Sequence, residues 1–419
     1  MVDKLLTLIM AGGAGERLLP LTRHRTKPAV PFAGKFRLID FTLSNCVNSG
    51  ITRIFVLTQY RSTSLIRHIQ EGWDISSSKM GDYIYCVPAQ QKVGPEWYQG
   101  TADAIRQNLD LFTERDIENV LILSGDHVYK MNYLQMLEYH RMKDADLTIS
   151  SIRFKKEEAA GTLGVLEVDP EYKLIGFEEK PATPKVIPDA TEYALSSMGI
   201  YIFKASSLMR VLEGDLDDFG RDVIPAMLSN VYRVYAYDYY QENRIRDFVV
   251  EVSEGKREKR LVERTRDSSY WRDVGTIDSY FEASMDLVGI DPVFNLYGDR
   301  WPLRSYQRVL PPAKCIIGGT VSESILCDGC IVSGGRVWRS ILSPNVIIEK
   351  NAVVEDSIIL DDGVIEPNVR IRRAILDKES VIEAGASVGY DMEQDRKNGC
   401  TVSSSGIVVV AKGTRVRPG

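Results

Sequence analysis

A chain of 419 residues, 44% hydrophobic and 26% charged, is long enough for about two or three domains with cores of their own. With 52 basic against 58 acidic residues and a formal net charge of −6, it lacks the basic excess of a nucleic-acid binder, and no apolar run reaches the roughly 18–20 residues of a membrane span. Six cysteines are too few for a disulfide scaffold, four histidines leave little for a histidine-rich metal site, and Met1-Val2-Asp3-Lys4 lacks the shape of a signal peptide, so a cytoplasmic protein with reduced thiols is expected.

In chain order, residues 5–10 read as the first buried strand, followed by the glycine-rich run Gly12-Gly13-Ala14-Gly15. Residues 53–58, 119–124, 147–152 and 199–203 read as further buried strands. Between them lie amphipathic stretches such as 103–112, with Ile105, Leu109 and Phe112 along one helical face. This alternation predicts a doubly wound, mostly parallel α/β sheet up to about residue 240, with ligands at the carboxyl ends of its strands. Residues 251–267 are dense in alternating charge and read as a solvated helix or surface excursion. Beyond Pro311-Pro312 the helical period vanishes. From Ala313 to Gly389 a branched aliphatic recurs about every six residues, as in Ile325, Ile331, Val337, Ile341, Ile347 and Val353. Imperfect hexapeptides of this kind predict a parallel β-helix of roughly four coils at about 18 residues each.

The loop after the first strand carries the first chemistry. Glycines there let backbone N–H groups approach phosphate oxygens. The run is not a dinucleotide fingerprint, since Leu18 stands at the third glycine counted from Gly13, and it lacks the Gly-Lys-Ser/Thr ending of a P-loop. Arg17 inside the loop and Lys27 ten residues on add two cations to the cradle of amides, which suits a triphosphate. Asp126 ends the apolar run 120–125 and so belongs at the carboxyl end of a strand, either as a metal-binding carboxylate or as the cap of the next turn. Asp273 could equally serve a metal or pair with Arg272.

The run Gly12-Gly-x-Gly-x-Arg17-Leu18 followed by Lys27-Pro28-Ala-Val-Pro31 resembles the sugar-phosphate nucleotidyltransferases, specifically the bacterial ADP-glucose pyrophosphorylases. The resemblance continues through Phe36-Arg-Leu-Ile-Asp-Phe, Pro88-Ala-Gln-Gln91, Trp97-Tyr-Gln-Gly-Thr-Ala-Asp-Ala104, Ser124-Gly-Asp-His-Val-Tyr129 and Glu179-Lys-Pro-Ala182. Ser197-Met-Gly-Ile-Tyr201, Asp218-Phe-Gly220, Tyr270-Trp-Arg-Asp-Val-Gly-Thr276 and Trp301-Pro-Leu-Arg304 extend it over some three hundred residues. It implies a Rossmann-like nucleotidyltransferase domain over 1–290, a linker over 291–312 and a left-handed β-helix over 313–419 for regulation and oligomerisation. The reaction implied is transfer of AMP from ATP to glucose 1-phosphate, with Mg²⁺ as cofactor, for glycogen synthesis.

By the same resemblance, Arg17, Lys27, Asp126 and Lys180 are the catalytic candidates, and Asp126 and Asp273 the metal ligands. Ala11, Gly12, Gly13, Arg17, Gln59, Gly100 and Thr101 are assigned to the nucleotide, and Tyr98, Gly164, Glu179, Lys180 and Ser197 to the sugar phosphate. From the residues alone, Thr101 also reads as an N-cap, Tyr98 as a packed aromatic, and Glu178-Glu179-Lys180 as surface charge. The chemistry suits a chain poor in histidine, because a sugar phosphate with a second pKa near ~6 arrives as an ionised nucleophile. Homotetramers with allosteric metabolites between the domains are also implied, at Arg25, Arg37, Lys378 and Lys412. Where fructose-bisphosphate-activated members carry Lys and His, this chain has His24 and Pro31, which points to fructose 6-phosphate, pyruvate or another activator.

Cys327-Asp-Gly-Cys330 lacks two further zinc ligands and reads as a small-residue corner. The repeats hold no histidine from Ala313 to Gly419, so the general base of a hexapeptide acyltransferase is absent. Two alternatives stay open at this level: a pyrophosphorylase using UTP, dTTP or GTP, and a regulatory subunit without catalysis.

Overall fold

A computed structural model describes residues 4–74, 81–90, 97–112, 116–161, 163–229, 231–253 and 256–419; Gln91 lies outside them. The first part is built on a nine-stranded sheet. Strands Asn119–Ser124, Leu5–Ala11, Arg53–Thr58 and Tyr83–Pro88 run parallel, with Leu8 opposite both Phe55 and Ile122. Tyr193–Lys204 then pairs antiparallel with Asn119–Ser124, Leu147–Lys155 and Gly164–Val168, while Val234–Asp238 pairs parallel with Leu147–Lys155, so the half nearer residue 200 is mixed. Alternate residues of the first strand feed two cores. Leu6 and Leu8 pack with Ala102, Ile105 and Ile122, while Leu5, Ile9 and Ala11 pack with Ile39, Leu43, Leu65 and Leu123. A strand apolar at nearly every position fits a sheet covered on both faces.

Two local readings change. The stretch 103–112 is an α-helix over Thr101–Arg106 and a 3-10 turn over Leu109–Phe112. The Asn108 side chain donates to the Ala104 carbonyl (2.8 Å), a back-bond that competes with helix continuation. The charged segment is the surface excursion and not the helix, a hairpin of Asp247–Ser253 against Lys256–Val262, with Phe248 opposite Leu261. Its valines at 249 and 250 favour strand over helix.

The second part stacks three sheets of six, five and six strands, parallel throughout except for one antiparallel strand at the end of the last. Ile347 lies over Val364 and Val364 over Val381, so a coil is one residue shorter than three hexapeptides. Corners at Asn345, Asn351, Asp362 and Asn368 take φ of 60–63°, a left-handed conformation that Asn and Asp tolerate. Their amides form ladders: Asn345 Nδ2 donates to Asp362 Oδ1 (2.8 Å) and Asn351 Nδ2 to Asn368 Oδ1 (3.1 Å). The stack is taller than the four coils expected, because it resumes with Val408–Val410 and Arg415–Val416 after an insertion. That insertion holds helix Met392–Lys397 and strand Thr401–Val402, which pairs antiparallel with Val408–Val410.

The two parts share a core. Helix Ile277–Met285 supplies Ile277, Tyr280 and Phe281 to a cluster that also contains Ile358, Ile375, Ile407 and Val409. Residues 291–312 strap across the first part, with Trp301 Nε1 donating to Asn45 Oδ1 (3.0 Å) and Ser305 Oγ to Asp40 Oδ2 (2.7 Å). Among the described residues, no helix is long and apolar enough to cross a membrane.

His140 is 3% exposed, and one ring nitrogen lies 2.8 Å from Thr148 Oγ1. Burial pushes its pKa down to about 4, from an ordinary 6.5. A depressed histidine favours the neutral folded form, so its stabilisation is complete above about pH 6.5 and is lost as pH falls towards 4. At about 1.4 kcal/mol per pKa unit the loss approaches roughly 3 kcal/mol. Urea midpoints measured against pH should fall over this window, and His140→Gln should flatten the fall. A curve unchanged by the substitution would remove His140 as the cause.

Candidate active site

The glycine loop leaves the carboxyl end of Leu5–Ala11 and is pinned from below. Thr22 Oγ1 donates to the Gly15 carbonyl (2.8 Å), and Thr26 Oγ1 lies 3.2 Å from the carbonyls of Ala11 and Gly13. Gly15 has φ 66°, and a Cβ there would meet Lys27 Cβ and Thr22 Cγ2 at 3.0 Å. The tight loop therefore needs glycine at this position on both counts. Pro28 lies in the short turn Lys27–Ala29, which carries Lys27 back under the loop.

Lys27 joins distant parts of the chain. Its Nζ lies 2.8 Å from Asp126 Oδ2 and 2.9 Å from Asp273 Oδ1. Asp273 reaches it because strand Trp271–Asp273 pairs with His127–Tyr129, setting Asp273 opposite His127. Arg272 pairs instead with Asp286 (2.9 Å), which removes the alternative partner for Asp273. Burial alone would raise the Asp126 carboxyl, but Lys27, His127 and the Ser124 hydroxyl hold it well below the usual carboxylate range. Burial likewise opposes the charge on Lys27, and the two carboxylates outweigh it and raise its pKa.

Around this trio lie two connected clefts. One, of about 700 Å³, is lined by Ala11, Gly12, Gly13, Arg17, Lys27, Gln59, Gly100, Thr101 and Asp126, bringing together every residue assigned to the nucleotide. The other, of about 350 Å³, is lined by Gly164, Glu179, Ser197 and Asp273. Thr101, Ser124 and Asp218 border both.

Three assignments differ. Tyr98 borders the larger cleft, not the smaller, and its hydroxyl accepts from Asn108 Nδ2 (2.9 Å). Lys180 lines neither; its side chain is 59% exposed, with Nζ 3.9 Å from Glu179 Oε1. Thr101 is not an N-cap: Gly100 holds that position, while Thr101 Oγ1 donates to Asp218 Oδ2 (3.2 Å) and accepts from the Phe219 amide (3.2 Å). Asp218 was not singled out, although the run Asp218-Phe-Gly220 that carries it was visible. His127, Trp271 and Phe177, which also line the smaller cleft, gave no signal beyond their motifs or hydrophobicity.

The donor set fits a hard cation. Asp126 and Asp273 are two carboxylates at a cleft, and among the described residues no cluster of three His, Cys, Asp or Glu forms a complete protein cage. Mg²⁺ takes one or two carboxylates with the rest of its shell from phosphate and water, whereas structural zinc needs four protein ligands. The Cys327 and Cys330 thiols are free and buried, and Cys330 Sγ donates to the Ser343 carbonyl (3.1 Å), a packing role.

A cavity of about 110 Å³ between the two parts is lined by Arg37, Lys378, Pro31, Tyr306, Arg308 and Asp361 among others. Arg37 and Lys378 both line it, with Lys378 Nζ 2.6 Å from Asp361 Oδ2. Arg25 does not line it, being 5% exposed and paired with Asp377 (2.9 Å) across the domain interface. Lys412 pairs with Glu379 (3.1 Å) outside the cavity. A separate cleft collects Arg23, His24, Arg61 and Arg67, an accumulation of positive charge that is not apparent along the sequence.

Residues 6–289 match the nucleotidyl transferase family, and residues 311–410 match the GlmU-like C-terminal hexapeptide family. Over nearly its full length the chain is similar to proteins named glucose-1-phosphate adenylyltransferase. That of Rhodopirellula baltica is 43% identical, covering 99% of this chain and 92% of the relative. That of Anaeromyxobacter sp. is 44% identical, covering 99% and 100%, and that of Methylococcus capsulatus is 45% identical, covering 97% and 92%.

Proposed function

The chain belongs to the nucleotidyl transferase family, and we propose that it is the enzyme that transfers AMP from ATP to glucose 1-phosphate, releasing pyrophosphate and ADP-glucose for glycogen synthesis. The observation that carries the reading is Lys27 between Asp126 and Asp273, where the two clefts meet. The larger cleft takes ATP, with the glycine-loop amides and Arg17 on its phosphates. The smaller takes the sugar phosphate, with Glu179 accepting from sugar hydroxyls.

The phosphate oxygen of the sugar then attacks the α-phosphorus in line with the departing pyrophosphate. No side chain needs to remove a proton, because the nucleophile is ionised near neutral pH. What the protein supplies is alignment of two anions and positive charge held in place before reaction. Arg17 and Lys27 provide that charge. Asp126 and Asp273 would hold Mg²⁺, which supplies further neutralisation of the charge developing on pyrophosphate. Lys180, exposed on the rim, would reach the sugar's phosphate only by turning inward.

The same reading takes 1–290 as the catalytic unit, 291–312 as a strap and 313–419 as the regulatory and oligomerising unit of a cytoplasmic homotetramer. Metabolite effectors would bind at the interdomain cavity bearing Arg37 and Lys378.

Assays of the purified protein with glucose 1-phosphate against ATP, UTP, dTTP and GTP test the assignment. ADP-glucose should dominate, and added metabolites should change its rate. Preference for UTP or dTTP would overturn the substrate assignment, and no sugar nucleotide from any of the four would favour a regulatory subunit.

A further inference from the structure

A second carboxylate, five residues beyond Asp273, is bound by the β-helix. Asp278 lies in the first turn of Ile277–Met285, and three consecutive hydroxyls converge on it. Ser403 Oγ donates to Oδ1 at 2.5 Å, Ser405 Oγ to Oδ1 at 2.6 Å and Ser404 Oγ to Oδ2 at 2.9 Å. Burial alone would raise this carboxyl, but the hydroxyls hold it below its ordinary value.

These serines form the turn of the antiparallel hairpin between Thr401–Val402 and Val408–Val410. The turn is held internally: the Ser403 amide donates to the Ile407 carbonyl (2.9 Å), the Gly406 amide to the Ser403 carbonyl (3.1 Å), and the Ile407 amide to Ser403 Oγ (3.1 Å). Arg373 adds a second tie, with its guanidinium 3.4 Å from the Ser405 carbonyl and 5.9 Å from the ring centre of Phe281 on the same helix.

On the other side of Asp278 the chain is short and constrained. Thr276 caps the helix by accepting from the Ser279 amide (3.1 Å). A Cβ at Gly275 would lie 3.0 Å from Asp273 Oδ2 and 3.2 Å from the Arg17 guanidinium. Movement of the helix start is therefore passed to Asp273 within a few bonds.

We propose that the turn Ser403–Ser405 and Asp278 form a positioning clamp by which the β-helix sets Asp273 against Lys27 and the smaller cleft. Asp278 touches no substrate; it acts through Asp273, as supporting hydrogen bonds hold a functional side chain in register. The inference rests on the proposed reading that the smaller cleft takes the sugar phosphate. It predicts the larger effect in that cleft, which Asp273 lines, and only a smaller one, passed through Lys27, in the cleft of the glycine loop, which hangs from another strand.

The test is steady-state kinetics of the full-length enzyme carrying Ser403→Ala with Ser405→Ala, and separately Asp278→Asn. Calorimetric titration with glucose 1-phosphate gives a readout besides activity. The KM and Kd for glucose 1-phosphate should rise about tenfold, given the sensitivity of reacting groups to misplacement, while the KM for ATP stays within about twofold. Ser403→Thr with Ser405→Thr, which keeps both hydroxyls, should restore them. Ile358→Ala, in the same apolar interface but with no part in the clamp, should lower Tm and leave the ratio of the two KM values unchanged. If the double alanine variant folds poorly, the single Ser404→Ala, which removes only the bond to Oδ2, should shift the same constants in the same direction. Unchanged constants, or a common rise for both substrates that follows Tm as in Ile358→Ala, would overturn the clamp. The wild type controls for the reading beneath it: if another sugar phosphate is its substrate, the same comparison is made with that compound.

Discussion

Replacing Asp126 by asparagine is expected to lower kcat by about 10²–10³-fold, the usual effect of losing one preorganised electrostatic partner at a reacting centre. Asparagine matches the shape but removes the charge held so firmly by Lys27, His127 and Ser124. Folding should survive, because Lys27 keeps Asp273 at 2.9 Å and the trio changes from one positive and two negative charges to a neutral pair. Steady-state rates with circular dichroism and thermal melts check this together. A loss under about tenfold with an intact fold would move the essential carboxylate elsewhere.

The second large effect should come from Gly100→Ala. The backbone is extended there, with φ −173°, so alanine meets no conformational obstacle. What it meets is space: its Cβ would lie 2.2 Å from the Asp217 carbonyl oxygen and 2.8 Å from the carbonyl carbon. That carbonyl accepts from the amides of Ala102 (2.7 Å) and Asp103 (3.2 Å), and the next residue, Asp218, holds Thr101 between the two clefts. Backbone bound this way cannot yield as a flexible side chain would, so a stability loss of about 1–3 kcal/mol is expected from overpacking. With the clefts displaced relative to each other, kcat/KM should fall about 10²-fold. Gly13→Ala is the stability control, since nothing lies within 4 Å of its Cβ position. Equal melting temperatures for the two variants would refute the steric account.

Much of this architecture was legible because its signals are local. A strand apolar on both faces, a glycine loop at its end and a six-residue aliphatic rhythm each report on a few neighbouring residues. Asp126 was legible for the same reason, ending an apolar run. The choice between roles for Asp273 was not, because Arg272 beside it in sequence faces Asp286, while Lys27 lies across the molecule. Thr101 misled for the opposite reason. Ahead of a helix it reads as a cap, yet Asp218 and the Phe219 amide, more than a hundred residues away, take its hydroxyl. Arg25 shows the limit for charges. Clustered cations suggest a ligand, and only the fold reveals that Asp377 already occupies this one.

The helix Ile277–Met285 belongs to the core of both units at once, packing Phe281 and Tyr280 among isoleucines and a valine of the β-helix. A chain cut near residue 290 would leave that apolar face wet and strip Asp278 of its three hydroxyls. Recombination of either half with a foreign partner is thereby constrained: a transplanted β-helix must bring a matching apolar wall and a serine turn, or the recipient loses the seat of this helix. The border between the two units is thus a place in the sequence with no counterpart as a plane of cleavage in the folded molecule.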